Sequence, residues 1–211
     1  MEAALRPEKP RTRIQQRNRE TILEAALDVF STEGFRGATL DQIAAAAGLS
    51  KPNLLYYFPS KDAIYTELLS TLLTRWLDPL HAVDGSGDPI EEILSYVRRK
   101  LEHSRDFPRE SRLFANEIVQ GAPRILDQIE GPLRHMVDDK TALFREWAEA
   151  GKIAKVDPYH LIFSIWATTQ HYADFSVQVQ AILQSYEDSH FADAEAFLMT
   201  VFRATLTPAK T

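Results

Sequence analysis

"TLDQIAAAAGLSKPNLLYYFPSK", residues 39–61, reads as two short helices joined by a tight turn. Thr39 followed three residues later by Gln42 is a capping box, so a helix starts there. Leu40, Ile43, Ala44 and Ala47 give it one apolar stripe, and Gly48 ends it. Ser50 is an N-cap for a second helix, with Pro52 tolerated in its first turn, where a missing N–H costs nothing. That helix lasts about two turns, because Pro59 disfavours helix at Phe58. Small side chains at Ala44–Ala47 permit a close crossing of the two helices. Such a pair fits a helix-turn-helix, in which the first helix crosses the DNA backbone and the second enters the major groove.

The second helix has two sides. Leu54 and Phe58, four residues apart, face inward, and Leu49 and Leu54 are expected to meet Phe30 and Ile43. Ser50, Lys51, Asn53, Tyr56 and Tyr57 fall on the outer side. Lys51 and Asn53 carry donors for base edges, while hydroxyls and Lys suit phosphates. Any helical hairpin with Gly in its turn looks similar, so the flanking charge matters.

The chain of 211 residues has a net charge of −6, but the charge is unevenly spread. Residues 1–61 hold nine Lys/Arg against seven Asp/Glu, and the remainder is acidic. Arg6, Lys9, Arg11, Arg13, Arg17 and Arg19 face only Glu8 within positions 6–19. A basic end before an acidic body suggests an arm that meets a polyanion; a solvated disordered tail is the plain alternative.

Outward from this stretch the periodicity is helical throughout, with Gly and Pro marking the breaks. A first helix spans about 15–33 and stops at Gly34; a fourth runs from the cap Ser60 to about His81. "DGSGDP" at 84–89 is a loop. Further helices are expected at about 89–106, 109–120, 123–150, 158–184 and 190–206. The fold class is all-α, about nine helices. It divides into a basic disordered arm (1–14), a three-helix DNA-binding domain (15–60) and a larger helical effector-binding and dimerisation bundle (61–211). There is no Cys, which excludes disulfides and thiolate chemistry. No secretory h-region opens the chain and no apolar run reaches a membrane span, so a cytoplasmic protein with no membrane partner is expected.

The stretch "TILEAALDVFSTEGFRGATLDQIAAAAGLSKPNLLYYFPSKDAIYTELL" resembles the DNA-binding domain of the TetR family of bacterial repressors. The resemblance implies an all-helical homodimer that binds double-stranded operator DNA and is controlled by a small effector. By position it implies base reading by Ser50, Lys51, Pro52 and Asn53, and phosphate contacts by Thr39, Tyr56, Tyr57 and Lys61. Phe58 falls on the family's core aromatic. Leu55 stands where many members carry a phosphate-contacting Tyr, and Pro52 replaces a common Gly.

"RWLDPL", "KLEHSRDFPRESRLFANEIVQGAP" and "DPYHLIFSIWATTQHYADF" extend the likeness to the pyrimidine-utilisation repressors of that family. This implies uracil or a related pyrimidine as effector, and genes of pyrimidine metabolism as targets. Trp166 and Gln170, one turn apart, would stack on a flat ring and offer it a donor and an acceptor. Trp76 and Phe114 would close the walls, and Glu117 would accept a ring N–H. Trp and Phe at helical spacing also suit ordinary core, and Gln170 also suits a backbone carbonyl. The apolar circumference of Leu161, Ile162, Phe163, Ile165 and Trp166, with Phe191, Phe197, Leu198, Val201 and Phe202, is expected to form a four-helix dimer interface.

An enzyme is not supported. His81, His103, His135, His160, His171 and His190 are scattered, and the chain carries no phosphate loop, nucleophile elbow or H-E-x-x-H motif. Glu187 and His190 have a di-iron ligand spacing, but Asp157, the acidic member of the other near-match, reads better as a helix cap. No metal and no cofactor beyond the effector are expected. Two readings stay open: a relative that answers to a different small molecule, and an effector-free architectural DNA-binding protein.

Overall fold

The computed structural model describes residues 12–185 and 189–209; the basic positions Arg6, Lys9 and Arg11, and Glu187, lie outside them. Among the described residues the ordered elements are all helical. They form two compact units, divided between Leu68 and Leu69. The sequence placed this division at residue 60, where Pro59-Ser60 breaks the chain. The structure moves it into a helix, because Ile64, Tyr65 and Leu68 are buried and Tyr65 packs edge-on against Phe30.

In the first unit α1 (Arg13–Gly37) starts two residues earlier than expected, because Thr12 and Gln15 form their own capping box. Gly34 interrupts it with φ +67°, and the chain continues through one more turn to α2 (Leu40–Ala46). The expected capping box at Thr39 and Gln42 is present. The turn to α3 (Lys51–Tyr57) is a Schellman motif. Gly48 takes φ +68°, its N–H donates to Ala45 O, and the Leu49 N–H donates to Ala44 O. A Cβ at Gly48 would meet no atom within 4 Å, so for a methyl group only backbone strain restricts that position. Ile22, Ala26, Phe30, Ile43, Leu54, Phe58 and Ile64 make the core of this unit. Helix α4 (Lys61–His81) is one continuous helix across the division.

The second unit contains α5 (Pro89–Asp106), α6 (Pro108–Val119), α7 (Leu126–Gln128), α8 (Arg134–Glu149), α9 (Pro158–Asp174), α10 (Ser176–Leu183) and α11 (His190–Leu206). α5 lies against both α9 and α11. Their inner faces, with Ile93, Leu94, Val97, Leu161, Ile162, Ile165, Leu198 and Phe202, are the main core.

Two expected long helices are divided. The 123–150 span starts only at Leu126, after Ala122 adopts φ +53°, and passes through a π-helical turn at Ile129–Leu133. Pro132 sits inside that turn, and its missing N–H and bulky ring disfavour the normal i→i−4 register. The 158–184 span breaks at Phe175 without Gly or Pro. Tertiary partners take over there: the Ser111 hydroxyl donates to Asp174, and Arg112 donates to the Ala173 carbonyl and to Ser176.

The expected dimer stripe also divides. Leu161, Ile162, Ile165, Phe191, Leu198 and Phe202 are buried within this unit, while Phe163, Phe197 and Val201 are exposed.

Candidate nucleic-acid interface and cavity

The first candidate site is the outer side of α3. Ser50, Lys51, Pro52, Asn53 and Tyr56 are exposed and Tyr57 is half-buried. The Ser50 oxygen accepts the Asn53 N–H, so the cap fixes the start of this face. Lys51 pairs with Asp41 on α2 at 2.9 Å, with both side chains exposed; such a pair is worth little and is easily given up. The two tyrosine rings meet edge to face with centroids 5.1 Å apart. Tyr56 OH accepts from Gln15, and Tyr57 OH accepts from Asn18 at 2.6 Å. Amides on α1 therefore aim both hydroxyls.

Thr39 and Lys61 are occupied by the fold itself. The Thr39 hydroxyl accepts the Gln42 N–H and donates to the Gln42 side chain. The Lys61 ammonium donates to the Phe35 and Ala38 carbonyls at 2.7 Å each and lies over the Phe35 ring. Lys61 therefore ties α4 to the end of α1.

Arg19 also departs from its reading as part of the basic arm. It is buried and donates to the Tyr57 carbonyl at 2.6 Å. It is ion-paired with Glu67, and its guanidinium lies 4.0 Å over the Phe58 ring. A planar, always-charged fork can hold a carbonyl, a carboxylate and an aromatic face together; a point charge cannot. The sequence signal for Arg19 was its position, one turn before the buried Ile22.

The second candidate site lies in the second unit. Leu73, Trp76, Leu77, Lys100, Phe114, Leu133, Trp166 and Gln170 line a cavity of about 50 Å³. Four effector candidates from three separate stretches, Trp76, Phe114, Trp166 and Gln170, thus meet at one place. Glu117 does not join them. It is buried, and its carboxylate accepts the Arg124 backbone N–H at 3.0 Å and pairs with the Arg124 guanidinium, holding the turn after α6.

Within the cavity the Trp76 and Phe114 rings are nearly parallel, 16° apart, with centroids separated by 6.4 Å. The Trp166 indole N–H is already used, donating to Tyr96 OH at 2.6 Å. The Trp76 indole nitrogen is buried with no hydrogen-bond partner. A buried donor left unpaired costs about 1–3 kcal/mol, so this atom marks a place where a ligand acceptor would be favoured.

Lys100 was missed by sequence reasoning. It is 3% exposed and its ammonium lies 4.1 Å over the Trp76 ring. Burial pushes its pKa down to about 7, opposed by the nearby Asp174. Burial likewise raises the Asp174 carboxyl. The signal was a lysine on the apolar stripe of α5, one turn after Tyr96 and Val97 and beside Leu101.

Comparison with known proteins decides the family. The model of the bacterial regulatory proteins of the tetR family matches residues 22–68, and that of the YcdC-like protein C-terminal region matches residues 69–209. The chain belongs to the TetR family. The HTH-type transcriptional regulator RutR of Escherichia coli K12 is 51% identical over 172 residues, covering 82% of this chain and 81% of its own. AcrR of Shigella flexneri is 30% identical over 59% of this chain and 66% of its own. Among solved folds, a transcriptional regulator from Streptomyces coelicolor superposes with a TM-score of 0.72 at 23% identity, over 91% of this chain and 99% of its own. The ketosteroid transcriptional regulator KstR2 of Mycobacterium tuberculosis has a TM-score of 0.69 at 17% identity, over 95% and 98%.

A TetR-family chain is a DNA-binding transcriptional regulator, and its relatives are regulators rather than enzymes. Among the described residues no three His, Asp or Glu side chains converge as a metal site, and no helix is long and apolar enough to cross a membrane.

Proposed function

We propose that this regulator is mainly a repressor whose operator binding is released by uracil or a closely related pyrimidine, and that it controls genes of pyrimidine metabolism. The observation that carries the reading is the meeting of Trp76, Phe114, Trp166 and Gln170 around one cavity. Likeness to RutR over four-fifths of both chains supports it. Flat aromatic walls suit a planar ring, and the Gln170 amide suits a ring edge carrying both C=O and N–H. A cavity of about 50 Å³ is the size of a few waters. The ring would therefore enter by displacing water and turning the Trp76 and Phe114 side chains apart.

On the DNA side, Ser50, Lys51, Pro52 and Asn53 would face bases, and Tyr56 and Tyr57 would face phosphates. Thr39 and Lys61 would reach phosphates by sharing the hydrogen bonds they now make. Two α3 helices are needed for half-sites one helical turn, or a multiple of it, apart, so the acting form is a homodimer. The exposed Phe163, Phe197 and Val201 are its proposed apolar contacts on α9 and α11. Trp76 belongs to the same unbroken helix as Lys61, so a ligand that favours one setting of α4 would bias the DNA-binding unit. Coupling of about 1–3 kcal/mol is enough for a switch.

The test uses DNA selected by the full-length protein from a random library. Saturating uracil is expected to weaken that complex at least fivefold in an anisotropy titration; unchanged affinity rejects uracil as the effector.

A further inference from the structure

We propose that Lys100 and the Trp76 indole N–H act together as a two-donor pair that selects a ring bearing two carbonyl oxygens over one bearing an amino group. This rests on reading the cavity as the effector site. Its own support is geometric. Trp76 Nε1 is buried and unpartnered, whereas the other indole of the cavity, Trp166, already donates to Tyr96. The Lys100 amino group is buried against the Trp76 ring, 4.1 Å from its centre, and both residues line the same cavity. Two donors confined this closely ask for two acceptors.

Gln170 completes the set, since its carbonyl can receive the ring N–H that lies between two ring carbonyls. A 2,4-dioxo pyrimidine offers acceptor, donor, acceptor along one edge. A 4-amino pyrimidine would turn an N–H toward the Lys100 ammonium, leaving two buried donors opposed and both unsatisfied. A site built to hydrogen-bond a substrate group discriminates far more strongly against its absence than an apolar pocket discriminates by shape. Lys100 is thereby a specificity residue, not only part of the wall.

Calorimetric titrations of the full-length protein with uracil and with cytosine test this, using the unaltered chain, Lys100→Met and Trp76→Phe. Lys100→Met keeps the length and apolar stem of the side chain, and its melting curve reports that the fold is intact. The unaltered protein should bind uracil at least a hundredfold more tightly than cytosine. Lys100→Met should lose about tenfold to a hundredfold in uracil affinity, the range for a hydrogen bond to a charged group, and most of the discrimination. Trp76→Phe should lose up to about tenfold. Uracil affinity and discrimination unchanged in a folded Lys100→Met protein would overturn the donor pair and leave the effector reading standing. No binding of uracil by the unaltered protein would overturn both.

Discussion

The recognition helix and the cavity of the second unit are both built from a few aromatic and polar side chains, yet they handle polarity in opposite ways. On α3 the polar groups are wet, and the frame beneath them is closed: Leu54 is fully buried, Ser50 caps the helix, and Arg19 holds the Tyr57 carbonyl. In the cavity the walls are mostly apolar, and the few polar groups among them are left incomplete. An indole N–H lacks a partner, and a lysine is buried against an aromatic face. A surface that meets a polyanion can leave its donors to water until the partner arrives. A cavity that selects a small neutral ring, as proposed for this one, gains selectivity by withholding partners from its donors in advance.

The largest effect should come from the closed frame under α3. Leu54→Ala removes a side chain with no exposure and should cost about 2–5 kcal/mol. Melting temperature and DNA affinity should both fall, while the protein that remains folded keeps its heat of uracil binding. If DNA affinity held while the melting temperature fell, α3 would not be the reading element.

Next in size are the wet groups themselves. Asn53→Ala and Lys51→Ala should each cost about 1–3 kcal/mol and relax sequence preference at one position, whereas Tyr56→Phe should weaken all sequences alike. Anisotropy titrations across salt concentrations on selected and scrambled DNA separate the two kinds of contact. Equal loss on both DNAs for Asn53→Ala would move it from base reading to phosphate contact.

These two sites were not equally legible in the sequence. The turn at Gly48, the caps Thr39 and Ser50, and the stop at Pro59 are local, so residues 39–61 specify their own conformation through neighbours a few positions away. Trp76, Phe114, Trp166 and Gln170 were suggested by resemblance and by their chemistry, and only tertiary folding brings them together. Lys100 stayed hidden because a lysine on an apolar stripe can always be imagined reaching solvent. Glu117 looked available because its partner Arg124 lies beyond a turn at Ala122, whose positive φ no residue pattern announced. The break at Phe175 escaped for the same reason, since Ser111 and Arg112 of another helix make it.

The cavity's polarity makes a pH prediction of middle size. Lys100 lies in a field set by Asp174 on α9, which favours its charge, and it shares that region with His103 on α5. Burial and the charges of Lys100, Arg99 and Arg75 push His103 down, while Asp106 raises it. Arg112 and His171 act on Asp174 in turn. With a pKa of about 7, Lys100 is charged below neutrality and mostly uncharged above it. A ligand carbonyl that accepts from the ammonium favours the charged form, so binding above pH 7 must take up a proton. Uracil affinity should be level below pH 7 and then fall, by at most tenfold per unit, between pH 7 and 8.5. Over the same range cytosine should be discriminated less, because an uncharged amine offers a lone pair. The sign for stability runs the other way. Burial holds Lys100 below its unfolded value, so its contribution rises from pH 7 upward and is lost as pH falls through 7. Calorimetry in buffers of different ionisation heat, repeated on Lys100→Met, checks both: a slope that survives in the mutant belongs to another group.

The smallest effect bears on whether the two treatments of polarity are distinct at all, and Thr39 is where they overlap. Its hydroxyl is exposed, like the groups of α3, yet already committed to Gln42 in a capping box. If it serves only as a cap, Thr39→Ala should lower stability by about 1 kcal/mol and change DNA affinity no more than the loss of folded protein requires. If it also meets a phosphate, DNA affinity should drop severalfold at temperatures where the mutant is fully folded. Thr39→Ser, which keeps the oxygen and drops the methyl group, should restore both quantities. A serine variant that restores stability but not affinity would mean that the methyl group, rather than the hydroxyl, meets the DNA backbone.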